Sequence, residues 1–210
     1  PASFAHNRGI GVMAGRDDLS VIAWSDIGPP APKIHVYQYS NPNDLKTLEG
    51  DAVLEYISMA FNHERYLIAL SGVPEYQFTL WDWPKETKLH VVSTEIRGPC
   101  NLSVSTNLGV GPARLLLVEP LQGQVHRGEG LESVGIWRIK KCGENTRLVR
   151  EDKLPQDIKS CEHMSATWAF PNYLFVLTRQ GAIMKYEAEK KELKHIEKDK
   201  RLEEVLKGPL

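Results

Sequence analysis

The sequence predicts an all-β chain folded as part of a β-propeller, about four blades of a larger ring. One observation is a spaced echo. Leu80-Trp81-Asp82-Trp83 returns as Ile136-Trp137-Arg138-Ile139, with weaker forms at Val36-Tyr37-Gln38-Tyr39 and Met184-Lys185-Tyr186. Steps of 44, 56 and 49 residues separate the central aromatics Tyr37, Trp81, Trp137 and Tyr186. A period of roughly forty to fifty residues in a β-rich chain is that of propeller blades, because each meander buries its faces only by stacking on its neighbours. The second observation is position: each echo falls third in a series of short β-prone runs separated by turn residues. A single β-sandwich with similarly spaced strands is the competing architecture, and the recurrence of the aromatic in the third run of every unit favours blades.

The first unit, about 8–50, opens with Gly11-Val12-Met13-Ala14 and continues through 19–24. A loop holding Gly28, Pro29, Pro30 and Pro32 then leads to 34–39, and proline, which cannot donate to a strand ladder, makes that loop unavoidable. The second unit, 51–97, reads as strands over 54–61, 66–70, 76–83 and 88–92, the third of them ending at Pro84. Its turns are the polar 62–65 and a segment with Gly72 and Pro74. The third unit, 98–155, places strands at 101–104, 114–119, 134–139 and 146–149. Its long loop 120–132, with Gly123, Gly128 and Gly130, accounts for the stretched step. The fourth unit, 160–200, runs through 164–170, 173–178, 182–186 and a charged outer segment from Glu192. Residues 115–118 and 174–177 are apolar at consecutive positions, as expected where blades stack on both faces. The tail 187–210 is densely charged, and Leu193, Ile196, Leu202, Val205 and Leu206 give it a thin helical stripe. A solvated outer strand followed by a short surface helix is expected there; a partner-binding helix is the other reading.

Composition bounds the function. The chain has 210 residues, 41% of them hydrophobic, enough for a sizeable core. With 26 basic and 27 acidic residues it carries no global field for nucleic acid or anionic membrane. Three cysteines (Cys100, Cys142, Cys161), an odd number without C-x-x-C spacing, suit a reducing intracellular setting. Asn101-Leu102-Ser103 matches a glycosylation sequon, which reads as ordinary sequence without an export signal. No apolar run approaches the ~20 residues that span a bilayer. The chain starts at Pro1 without a methionine, as expected of a piece of a longer protein.

Catalytic devices are missing. The seven histidines are scattered, and only Cys161-Glu162-His163 brings two metal-ligating types close. A zinc site wants four ligands in paired clusters, so no metal is expected and His163 reads as a turn or edge residue opening a strand. Gly128-Glu129-Gly130 lacks the strand-to-helix context of a phosphate cradle, and Asp17-Asp18 and Glu203-Glu204 read as hydrated charges. No residue is assigned a catalytic, cofactor-binding or metal-ligating role, and no cofactor or small-molecule substrate is expected. Lys140-Lys141 and Lys190-Lys191 are too sparse for a nucleic-acid surface. Trp24, Trp81, Trp137 and Trp168 fall inside strand patterns and are expected in the core between blades.

Trp81-Asp82 is the signature dipeptide of WD repeats, so the predicted blades are WD40-like. The Gly-His pair that accompanies it in ordinary WD repeats is missing, and their hydrogen-bond set is not carried over. The second unit resembles instead the axonemal WD-repeat group called cilia- and flagella-associated proteins. The likeness rests on Ile57-Ser58-Met59-Ala60-Phe61, Tyr66-Leu67-Ile68-Ala69 and above all 71–83, Ser-Gly-Val-Pro-Glu-Tyr-Gln-Phe-Thr-Leu-Trp-Asp-Trp. Gly11-Val12-Met13-Ala14 and Met164-Ser165-Ala166-Thr167-Trp168 resemble its 43 type, with the 44 and 57 types as siblings.

The resemblance implies a non-enzymatic scaffold in the axoneme of cilia and flagella, tethering or regulating inner-arm dynein on doublet microtubules. It implies a sibling WD-repeat ciliary protein, inner-arm dynein and tubulin as partners, with no nucleic acid and no membrane. The long coiled coil of such proteins is not seen here, since no heptad is sustained. A soluble cytoplasmic WD-repeat adaptor in an unrelated complex is the alternative, and a hydrolase-type propeller a third. As contact loops the sequence nominates 27–33, 71–75 and 120–132, the first two stiffened by proline.

Overall fold

A computed structural model of the chain describes residues 9–16, 20–28, 31–41, 43–62, 65–94, 100–104, 114–120, 135–151, 155, 163–169, 173–178, 181–188 and 190–196, and at 101, 114–120, 163–164 and 195–196 their backbone alone. The strands form four antiparallel sheets, each a meander in chain order. The first is β1 (Ile10–Arg16), β2 (Val21–Asp26), β3 (Lys33–Gln38) and β4 (Leu45–Glu49). The second is β5 (Tyr56–Asn62), β6 (Tyr66–Ser71), β7 (Gln77–Asp82) and β8 (Thr87–Ser93). The third is β9 (Cys100–Val104), β10 (Arg114–Pro120), β11 (Gly135–Cys142) and β12 (Asn145–Arg150). The fourth is β13 (His163–Ala169), β14 (Tyr173–Thr178), β15 (Ile183–Glu187) and β16 (Glu192–Ile196). Four separate meanders replace the two facing sheets that a sandwich would need.

Three sequence expectations are corrected. The outer strand of the first unit, β4, was not foreseen: in Leu45-Lys46-Thr47-Leu48-Glu49 only Leu48 is buried, so its polar positions mask the pattern. Leu54 and Glu55 precede β5 rather than belonging to it. Trp83 lies in a 3-10 turn (Trp83–Lys85), where Pro84 removes the ladder donor and ends β7. The stretch 121–132 and the expected helix of the tail lie outside the described residues.

The chain divides into two compact units, Pro1–Pro99 with Lys141–Leu148, and Cys100–Lys140 with Val149–Leu210. In the first unit β2 alternates strictly: Val21, Ala23 and Ser25 are buried, and Ile22, Trp24 and Asp26 half-buried. The buried side meets the second sheet, where Val21, Ala23, Ile34, Val36 and Leu48 pack with Met59, Phe61, Leu67, Ala69 and Trp81 in one core. In the second unit Ile136 of β11 packs with Ala166, Leu174, Val176, Met184 and Tyr186 of the fourth sheet. Face-to-face stacking of successive meanders is how blades bury a core that one sheet cannot close alone.

The echo is a repeat of register as well as of sequence. Tyr37 pairs with Ile22, Trp81 with Leu67, Trp137 with Leu116 and Tyr186 with Leu174. Trp81 and Tyr186 each lie on the face turned to the preceding sheet, and Trp137 points opposite to Ile136.

Around Trp81 the packing is tight. Its ring, 1% exposed, meets Tyr56 edge-on with centroids 6.0 Å apart. Gly50 closes over both, since a Cβ there would fall 1.9 Å from Tyr56 Oη. The partner residue of the dipeptide does different work. Buried Asp82 accepts from Arg65 Nε at 2.6 Å and is ion-paired with Nη2, while the Arg65 carbonyl accepts from the Trp83 N–H at 3.2 Å. Trp81 thus fills the core and Asp82 ties off the end of the blade.

Candidate interaction surface

The two described loops nominated from sequence come together, bridged by a third that sequence reasoning missed. Loop 27–33 begins where Ile27 N–H donates to the Gly9 carbonyl at 3.1 Å, and Gly28 (φ +88°) turns the chain so that its N–H reaches the Leu54 carbonyl at 2.9 Å. Gly28 is needed there, since a side chain at that φ is strained. Loop 71–75 is closed from within: Gln77 N–H donates to Ser71 Oγ at 3.0 Å and Tyr76 N–H to the Gly72 carbonyl at 3.0 Å. Tyr76, at φ +46°, turns its carbonyl to accept both the N–H and the hydroxyl of Thr94, at 3.0 and 2.9 Å.

The connection 50–55 lies between them. Gly72 N–H donates to the Glu55 carbonyl at 3.0 Å, and Val53 N–H lies 3.5 Å from Glu75 Oε2. A Cβ on Gly72 would sit 3.0 Å from Glu55 Cγ and Ile57 Cγ2, so any larger residue there would push those side chains aside. The Leu54 that sequence periodicity assigns to a strand is therefore a loop residue; the available signal was the turn-forming Gly50-Asp51 a few residues before it.

Ile27, Val53, Leu54 and Val73 are 41, 51, 44 and 51% exposed, and all four project from these three linked loops. Glu55 and Glu75 are half-buried among them. Four aliphatic side chains on backbone already pinned by hydrogen bonds can bury area on a partner at little entropic cost. The set consists of four aliphatic side chains with two carboxylates, Glu55 and Glu75, carried on different loops.

Other candidates resolve differently. Lys190 and Lys191 are engaged by Glu187 and Glu151, at 2.9 and 3.2 Å, while Lys140 and Lys141 are exposed. Glu151 also faces Arg138, with Nε at 3.4 Å; burial and then this carboxylate raise the Tyr186 phenol above its usual pKa. His163 opens β13, and Cys161 and Glu162 lie outside the described residues, as do Asp17, Asp18, Gly128, Glu129, Gly130, Glu203 and Glu204. Among the described residues no three His, Cys, Asp or Glu side chains converge. Trp137 is buried and Trp168 packs at the edge of the second core, whereas Trp24 is half-buried and stacked on His35 with centroids 5.4 Å apart.

Comparison with known proteins adds the following. Cilia- and flagella-associated protein 43 of Mus musculus is 33% identical over 75 residues, 35% of this chain and 4% of the relative. Cilia- and flagella-associated protein 44 of Chlamydomonas reinhardtii is 28% identical over 85 residues, 37% of this chain and 5% of the relative. The chain thus spans a small part of the curated relatives it matches. Among solved structures, the β-propeller domain of Cps50 (Swd1) from Myceliophteria thermophila superimposes with a TM-score of 0.56 at 12% identity, over 92% of this chain and 56% of that one. A functionally unknown protein from Desulfotomaculum acetoxidans gives 0.59 at 12% identity, over 91 and 56%. No protein-family profile matches the chain. The fold is that of propeller blades, and the sequence likeness is to ciliary proteins of the 43 and 44 types.

Proposed function

We propose that this chain is part of a non-enzymatic scaffold of motile cilia and flagella, a WD-repeat propeller whose contacts help tether or regulate inner-arm dynein on axonemal doublets. The observation that carries the interaction reading is the patch of Ile27, Val53, Leu54 and Val73 on three cross-bonded loops. The two ciliary relatives, similar over about a third of the chain, support the location. The partners are other axonemal proteins: a sibling WD-repeat protein, inner-arm dynein, or tubulin. A partner suited to this patch offers an apolar ridge flanked by lysine or arginine, facing Glu55 and Glu75.

The test is the double variant Val53→Asp, Val73→Asp in the full-length protein expressed in ciliated cells. Both positions are half in water, so folding stability should change by less than about 0.5 kcal/mol. Retention on detergent-stripped axonemes should fall at least ~10-fold, as expected when contacts worth ~1.4 kcal/mol are lost. Undiminished retention of the variant would remove this patch from the contact surface.

A further inference from the structure

We propose that the tip of the β11–β12 hairpin is a cationic finger that docks an acidic peptide, a run of aspartate and glutamate on another protein. Local exposure marks the finger off. Ile139 and Leu148 are buried, and between them the chain is exposed at 140–145 and 147 and half-buried at Thr146. The two strands join through Gly143 and Glu144 alone, with Gly143 at φ +63°, so the turn is tight and the sheet beneath holds the tip in place. No residue from 140 to 147 is buried, so the tip contributes little to the core. What it supplies is charge: Lys140, Lys141 and Arg147 against the single carboxylate of Glu144.

That charge is uncompensated, and elsewhere the chain compensates it. Lys33, Lys46, Arg65, Lys88, Arg138 and Lys191 are each ion-paired with a carboxylate, whereas none of the finger's three cations is, among the described residues. With a formal net charge of -1 at pH 7, the chain as a whole is nearly neutral, so the positive tip is not the overspill of a basic protein. Its field also reaches inward, since burial and then Arg147 lower the pKa of His90. An anion seated on the finger relieves that repulsion. Chemistry selects which anion. Residues 140–147 include no aromatic side chain on which a base could stack, and three cations are few for a phosphate backbone. They also include no large apolar side chain to enter a bilayer. A narrow projecting hairpin offers a flat rigid surface little area, but an extended peptide can lie along it and set its carboxylates against the lysines and the arginine. Glu144, at the turn, repels such a chain from the very end and leaves it the two strands. None of the residues of the loop patch takes part, so either surface can fail without the other.

The experiment titrates the full-length polypeptide against a fluorescein-labelled polyglutamate peptide of about ten residues and reads fluorescence anisotropy. At ~0.05 M salt the anisotropy should rise saturably, and the affinity should fall at least ~5-fold by ~0.3 M salt as screening sets in. Lys140→Gln with Lys141→Gln should weaken binding about 5-fold, the loss expected of two exposed charge pairs. Glu144→Gln removes the opposing carboxylate and should strengthen binding ~2-fold. Lys85→Gln with Lys194→Gln takes two exposed lysines from elsewhere and should leave the affinity within ~1.5-fold of wild type. All five side chains are exposed, so unfolding does not stand in for lost binding. No saturable rise, equal losses from the two double variants, weaker binding by Glu144→Gln, or tighter binding of a single-stranded oligonucleotide or of phosphatidylserine vesicles than of polyglutamate would each overturn the proposal.

Discussion

At the scale of single residues, the physics concentrates on Trp81 and the groups that touch it. Truncation to alanine removes a buried indole and leaves a cavity that Tyr56, itself buried, cannot fill; Trp81→Ala should cost about 3–5 kcal/mol in denaturant unfolding. Gly50→Ala tests the same spot from the other side. Its Cβ would overlap Tyr56 Oη and approach Trp81 Cζ2 to 3.0 Å, so overpacking should cost about 1–3 kcal/mol. His90 carries a pH signature. Its Nδ1 accepts the Leu148 N–H at 3.3 Å, which requires an unprotonated nitrogen, and burial, then Arg147, lowers its pKa. A group with a lowered folded-state pKa contributes stability above its unfolded value of about 6.5 and loses it as the pH falls through the folded value. The protection factor of the Leu148 amide should therefore drop as the pH falls below about 6.5, and the drop should vanish in His90→Asn, which keeps an acceptor but cannot titrate.

At the scale of elements, strand order, the central strands and three of the four outer strands, β8, β12 and β16, were legible in the sequence, and β4 was not. β6 announces itself because both of its faces are buried and Tyr66 to Leu70 are all apolar or aromatic, and β7 through Phe78, Leu80 and Trp81. β4 carries one buried side chain among polar neighbours, and its register comes from pairing with β3, a long-range fact that no local window contains. Trp83 was assigned to a strand because it is apolar and buried; burial it has, but by packing edge-on against Phe61 from a 3-10 turn. Two of the contact loops were readable from proline and glycine. The bridging segment was not, since Val53 and Leu54 look like core until the backbone places them outside. Loop rigidity has its own test. Thr94→Val removes the hydroxyl that donates to the Tyr76 carbonyl, so it should cost about 1 kcal/mol and raise hydrogen exchange at the loop amides, including that of Gly72.

At the scale of the whole molecule, a spaced aromatic becomes a register rule: one position recurs in each of the four meanders, and in the second and fourth it faces the preceding sheet as Trp81 and Tyr186. Among the described residues, the eight exposed large apolar side chains sort between two places. Ile10, Ile27, Val53, Leu54 and Val73 lie at or beside the linked loops, and Met13, Tyr39 and Leu45 on the face of the first sheet turned away from the second. Fold alone cannot choose among the many tasks propellers perform, so the ciliary assignment leans on sequence likeness over about a third of the chain. The most direct test is fractionation of the full-length wild-type protein from ciliated cells. After membranes and matrix are stripped with detergent at roughly 0.15 M salt, where exposed charge pairs are already largely screened, it should remain with the doublet microtubules. Recovery wholly in the detergent-soluble fraction would contradict the scaffold reading and mark the protein as a soluble adaptor.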